Sequence, residues 1–365
     1  MKKVAAFVLS LLALAALAEW LVLLRAPIDP WRLAALLACL SLILGAFVGL
    51  TDPDFVDQLR EWAHRSMGAA LGMPLLLLVP YFIFALGTGT FSLRGLAKLA
   101  AYILLPVGLL LPDRLGRAAP GGRRTCPERS EGPPLQTIGW RDLAAMLALA
   151  VPVAAHWLRG IWVWPEDLYF FRPLYSVCVG AYGFMVICRL EGVGYRLTFR
   201  RTDLAGGFGH FVGFALLAIP LGYLLHFIHF HGHPVTSTAL AWHASSAAHA
   251  VAVPGGVRLA LDFLATFAGI YVTIAIPEEF LFRGVLQNLL VKSFQHARRE
   301  LWGLLIASVI FGAAHLHHPP VPNWRYGILA TLAGICYGNV YRTRQSLSAS
   351  AFTHALVDTA WHFWF

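Results

Sequence analysis

Apolar runs of about twenty residues recur from one end of this chain to the other, separated by short segments that hold most of the basic residues. After a first run that follows Met1-Lys2-Lys3 and reaches Leu24, further runs read at roughly 31–50, 67–88, 93–112, 143–163, 173–190, 207–228, 257–292, 301–318, 324–341 and 346–364. At about 1.5 Å of rise per residue, most of these are long enough to cross a bilayer core of about 30 Å as a helix. The pattern predicts an all-α, polytopic membrane protein of about eleven transmembrane helices, with about eight as the lower bound. Ala16-Leu17-Ala18 offers a small-x-small cleavage site within the first run. The apolar run resumes at Trp20-Leu21-Val22-Leu23-Leu24, which suits an uncleaved first helix better.

Composition agrees. Hydrophobic residues make up 58% of the 365 and charged residues only 13%, against about 25% charged in a soluble domain. The net charge of +9 does not point to nucleic acid, because the basic residues lie between apolar runs. Arg114, Arg117, Arg123, Arg124 and Arg129 form one group, and Arg189, Arg196, Arg200 and Arg201 a second. Lys292, Arg298 and Arg299 form a third, with Arg342 and Arg344 a fourth. Counting spans puts all four on the side of Lys2 and Lys3, which the positive-inside rule makes cytoplasmic. An integral protein of a bacterial cytoplasmic membrane, with its N-terminus in the cytoplasm, is the expected location. Cys39, Cys178, Cys188 and Cys336 lie in apolar runs and Cys126 in a polar loop, with no CxxC pair to indicate zinc or a disulfide framework.

The chain divides into N-terminal helices over 1–112, a Gly- and Pro-rich polar loop over 113–142, further helices over 143–204, and a C-terminal segment over 205–365. The first 200 residues place few polar groups within their spans, consistent with scaffolding or substrate access. The C-terminal segment differs. A charged side chain in a bilayer core costs about 2.5–3.5 kcal/mol on the mildest scale, so it needs a partner or a purpose. Three late helices carry polar pairs four positions apart, which places both members on one helical face. Ile276-Pro277-Glu278-Glu279-Phe280-Leu281-Phe282-Arg283 supplies Glu279 and Arg283, an internal ion pair by its simplest reading. Glu278 lies about 100° around the helix and is left without that partner. Phe311-Gly312-Ala313-Ala314-His315 pairs a ring with an imidazole, close to the polar stretch Leu316-His317-His318-Pro319-Pro320. His354-Ala355-Leu356-Val357-Asp358 pairs an imidazole with a carboxyl. Three such faces turned together would make a polar pocket in an apolar bundle.

Glu278-Glu279-x-x-x-Arg283, Phe311-x-x-x-His315 and His354-x-x-x-Asp358, in this order, resemble the three-motif signature of the CAAX-protease and bacteriocin-processing (CPBP, or Abi) family. That family includes the type II CAAX prenyl endopeptidases, or Ras-converting enzymes. The flanks Ser308-Val309-Ile310 and Ser346-Leu347-x-Ala349-Ser350 fit as well. The resemblance covers roughly 205–365, making that segment an expected intramembrane protease domain. It implies an endopeptidase that needs no cofactor and hydrolyses a peptide bond of a membrane-associated or C-terminally tailed protein within the lipid bilayer. It also implies residue roles. Glu278 would be the general base, His315 its partner on the same water, and His354 a donor to the oxyanion. Asp358 would assist His354, while Glu279, Arg283 and Phe311 would support the site. Asparagine stands at the last position in the Ras-converting enzymes, so Asp358 departs from their pattern. It would either donate as a neutral acid or accept from His354 and orient the ring.

Three other classes compete. Glu278, His315, His354 and Asp358 are also a donor set that Zn²⁺ accepts, giving a membrane metalloprotease without an HExxH motif. His226, His229, His231 and His233, with His243 and His249 beyond, would suit a metal-handling transporter, and a non-enzymatic chaperone is the third class.

Overall fold

The computed structural model describes residues 29–117, 136–231 and 255–365. The first apolar run, most of the 113–142 loop, and His233, His243 and His249 lie outside the described residues. Among the described residues every regular element is a helix and no strand occurs. The helices are α1 (Pro30–Gly49), α2 (Pro53–Arg65), α3 (Met67–Gly72), α4 (Leu78–Thr88), α5 (Leu93–Arg117), α6 (Trp140–Ala154) and α7 (Phe171–Ala181). They continue with α8 (Arg201–Leu224), α9 (Gly255–Ile270), α10 (Arg299–Ala314), α11 (Trp324–Arg344) and α12 (Leu347–Trp364). α9 runs on without a break through Tyr271–Ala275, Ile276–Glu279 and Phe280–Gln287 to Asn288–Ser293.

Among the described residues five helical stretches are long and apolar enough to cross a membrane: Pro30–Gly49, Met67–Thr88, Leu93–Pro112, Arg201–Leu224 and Asp262–Ser293. The first predicted run lies outside the described residues, and others fall short for reasons visible in the residues. α10 has 16 residues, too few to span on its own by that measure. α11 and α12 have the length, but α12 carries His354, Asp358 and His362, and α11 ends in Arg342 and Arg344. The expected run at 143–163 is helical only to Ala154, with Pro152 in its last turns and left-handed backbone at His156.

The described residues fall into two compact units. One takes Trp31–Val193 with Gly284–Gly303, and the other takes Gly194–Arg283 with Leu304–Phe365. In the first, α5 packs on α6 and on the helical turn Tyr182–Ile187 that extends α7. Trp162 stacks there on Phe171 and meets Tyr175 at a tilt of 38°.

The second unit holds the three motifs. Its core is α8 against α11 and α12, with α9 against α12. Asp203 anchors the start of α8, accepting from the Arg200 backbone N–H at 3.0 Å and from Arg196 Nη2 at 3.2 Å. Ser346 caps α12. Glycines let the backbones meet. A Cβ on Gly312 would fall 1.9 Å from Thr331 Oγ1 and 2.6 Å from the Gly327 carbonyl, so α10 and α11 touch through their main chains. Gly207 does the same for α8, and its carbonyl accepts from Thr353 Oγ1 of α12 at 3.2 Å.

Candidate active site

Proline decides the local shape of the helix that carries the two glutamates. Pro277 has no N–H to give and its ring crowds the preceding turn, so a regular helix is disfavoured there. The chain responds by widening: Tyr271–Ala275 and Phe280–Gln287 are π-helical, and Ile276–Glu279 sits between them. Wide turns of this kind accompany functional positions in many helices.

Glu279 is fully buried and tied on several sides. Arg283 Nε lies 3.1 Å from its Oε2, Ser350 Oγ donates to Oε2 at 2.5 Å, and His354 Nδ1 donates to Oε1 at 2.9 Å. Arg283 is equally buried, donates to the Gly334 carbonyl at 3.2 Å, and lies 4.3 Å above the Phe311 ring. The expected ion pair is therefore present, and Glu279 reaches further than that pair. It joins the helix of the first motif to α12 through His354 and Ser350.

Glu278 faces elsewhere. Its side chain is 34% exposed, and its buried Oε2 makes no hydrogen bond to the protein. It lies 3.9 Å from His354 Nε2, and Asp358 Oδ2 lies 3.4 Å from the same nitrogen. His354 is thus a buried ring with Glu279 on one nitrogen and two further carboxyl groups near the other.

His315, just beyond the end of α10, is half-buried. Its Nδ1 is 2.7 Å from the Phe311 carbonyl. A carbonyl only accepts, so Nδ1 carries the proton and Nε2 of the neutral ring keeps its lone pair. The Phe311 ring packs on His315 at 4.6 Å and edge-on to His354 at 6.0 Å.

Glu278, His315, His354 and Asp358 all line a single cavity of about 710 Å³. The rest of its wall is mostly apolar and aromatic, including Phe214, Ile274, Tyr326 and Trp361. All four residues named from the three motifs therefore share one space, with Phe311 in its wall and Glu279 and Arg283 packed behind. Among the described residues, no group of three or more His, Cys, Asp or Glu is spaced to hold a metal ion.

Three residues around the site, Ser350, Tyr326 and Tyr337, were given no role by sequence reasoning. Ser350 was legible only as a small polar residue flanking the last motif. Tyr337, whose ring stacks on His354 at 4.5 Å and 15°, carried no signal at all, because a tyrosine in an apolar helix looks like packing.

Over residues 260–360 the chain matches the family model described as Type II CAAX prenyl endopeptidase Rce1-like. No curated protein and no solved structure gives a match. The matched segment runs from the helix with the two glutamates through all of α11 to the His354–Asp358 turn. All three motifs, and the cavity residues they contribute, fall inside it. Residues 260–360 are therefore similar to the CAAX-protease family, in a chain whose described residues include helices long and apolar enough to cross a membrane.

Proposed function

We propose that this domain is a glutamate-type intramembrane endopeptidase in which Glu278 and His315 activate water inside the cavity. One observation carries the reading: Glu278 lines the cavity with a carboxyl group whose buried Oε2 has no hydrogen bond to the protein, whereas Glu279 is held by arginine, serine and histidine. A water held between Glu278 and the Nε2 lone pair of His315 would lose one proton to Glu278 as its oxygen attacks the scissile carbonyl. Bond formation at that carbon places negative charge on the former carbonyl oxygen. When the C–N bond breaks, the proton held by Glu278 passes to the departing amine.

His354 is the donor toward the oxyanion. Its Nδ1–H is committed to Glu279, so Nε2 donates only when the ring carries both protons. That positive ring would sit among Glu278, Glu279 and Asp358. Glu279 already holds the ring through Nδ1, which leaves the orienting role filled and favours Asp358 as a second polar group at the oxyanion. The substrate is a protein or peptide segment that enters from the bilayer, with a C-terminal tail or leader region as its cleaved part.

Glu278→Gln tests the assignment. The amide cannot accept the proton, so processing should fall by about 10² to 10⁴-fold, with abundance in the membrane unchanged. Peptide-terminus profiling of membranes from wild-type and Gln-variant cells reads this without a known substrate. New termini produced equally by both would refute the role of Glu278.

A further inference from the structure

α11 contributes none of the three motifs, yet both imidazoles of the site rest against it. Asn323 caps its first turn by accepting from the Tyr326 N–H at 3.1 Å, which places the Tyr326 ring at the cavity wall. Tyr337 follows eleven residues later, about three turns, and so stands on the same side of the helix. Between them Ala330 and Ala333 are buried against Phe311 and leave the space open. Tyr326 meets His315 edge-on at 4.8 Å and 71°, and Tyr337 stacks flat on His354 at 4.5 Å and 15°.

Contacts at the ring nitrogens, including Asp358 Oδ2 at 3.4 Å from His354 Nε2, still leave an imidazole free to tilt about the axis through them. His315 is anchored at Nδ1 by the Phe311 carbonyl, and His354 at Nδ1 by Glu279. In each case the catalytically relevant atom, Nε2, is on the opposite side of the ring and is aimed by the ring plane. The tyrosines supply contacts that fix that plane. Tyr337 is tied in further, because its carbonyl lies 2.8 Å from Ser350 Oγ and shares the single hydroxyl proton with Glu279 Oε2. Its own ring lies 5.5 Å from Arg283 Cζ.

We propose that Tyr326 and Tyr337 are positioning residues that set the ring planes of His315 and His354, making α11 the element that aligns the two imidazoles. The proposal rests on the hydrolytic reading only for its kinetic consequence. Its geometric content stands apart.

The test uses the full chain in lipid nanodiscs with ¹⁵N-labelled histidine, and ring signals assigned through His315→Gln and His354→Gln. Tyr337→Met keeps bulk but removes the ring face, and Tyr337→Phe keeps the face. Tyr326→Leu and Tyr326→Phe form the matching pair at the less buried position. The Met and Leu variants should each shift and broaden the ring signals of their own histidine and leave the other histidine unchanged. Both Phe variants should reproduce the wild-type spectrum. On a substrate identified by terminus profiling, Tyr337→Met should lower kcat by about 10- to 100-fold with KM nearly constant, and Tyr337→Phe should stay close to wild type. Unchanged His354 signals in a folded Tyr337→Met protein would overturn the proposal. So would Phe variants as impaired as the Met and Leu ones, since that would assign the effect to the hydroxyl. If Tyr337→Met fails to accumulate, the Tyr326 pair decides by the same criterion. Absence of proteolysis in the wild type would count against the hydrolytic reading and leave the spectroscopic result intact.

Discussion

Replacing Arg283 with Met removes a buried cation while keeping an unbranched apolar side chain in its place. Arg283 is 1% exposed and its partner Glu279 is 0% exposed. The change strips Glu279 of its only guanidinium partner, frees the Gly334 carbonyl from its Arg283 bond, and removes the cation over Phe311. Breaking one side of a buried ion pair costs about 3–5 kcal/mol. Glu279 keeps Ser350 and His354, which argues for the lower part of that range, and loss of the cation–π contact adds about 1 kcal/mol. A total of about 4 kcal/mol corresponds to a population factor on the order of 10³. The double variant Arg283→Met, Glu279→Gln removes both charges and should recover most of that stability, because an uncharged pair no longer needs solvation. It should not recover processing, since His354 Nδ1 loses its charged acceptor. Denaturant unfolding in detergent, with membrane abundance of a tagged protein beside it, measures both terms. The reasoning fails if Arg283→Met lies within about 1 kcal/mol of wild type, or if the double variant is no more stable than the single.

Asp358→Asn should keep activity within about tenfold of wild type, because the amide offers a donor near His354 Nε2. A loss of a thousandfold or more at every pH would assign Asp358 instead to stabilising the charged ring. Dialysis against a strong chelator should leave processing intact with well under one equivalent of metal bound. Loss restored only by Zn²⁺ would move the same residues into a metalloprotease mechanism. For topology, a single cysteine at His296 should react with an impermeant reagent from the cytoplasmic face and one at His317 from the opposite face. Labelling of both from one side would mean that α10 does not cross.

Most of the site could be read before any coordinates, and the reason is physical. Carboxylates and imidazoles are so costly in an apolar bundle that their mere presence, four positions apart on three helices, marks a shared face. What could not be read is how those groups are shared out. Glu279 was legible as the partner of Arg283, but its bond to His354 depends on the distance between two helices that are 75 positions apart in sequence. Tyr337 and Tyr326 act through ring faces, and an aromatic ring costs nothing in lipid, so nothing in the pattern flagged them. Helix limits behaved differently again. α11 and α12 start within a residue of their predicted positions, where Asn323 and Ser346 cap them, whereas α8 starts at Arg201, six residues before its predicted run. α6 stops early, at Ala154 just after Pro152, inside a run whose hydropathy alone continues.

Two adjacent glutamates with opposite fates summarise the chemistry that a helix imposes on neighbours. Successive side chains point about 100° apart, so residues 278 and 279 cannot serve the same environment. Whichever one turns inward must be neutralised, and Arg283, one turn later on the same face, is placed to do it. The other is then left over the cavity with no cation of its own on its helix. Its nearest polar neighbours are groups from α12, His354 at 3.9 Å and, beyond that nitrogen, Asp358. A carboxylate that the fold meets only with His354 at 3.9 Å and leaves partly open is available to a reacting molecule, whereas one bonded to arginine, serine and histidine at once is not. Exchanging the roles would require moving Arg283 by one position. A Phe282→Arg, Arg283→Phe double variant would put the guanidinium four positions after Glu278, on the same helical face. It should neutralise the base, leave Glu279 uncompensated, and lose both stability and processing together.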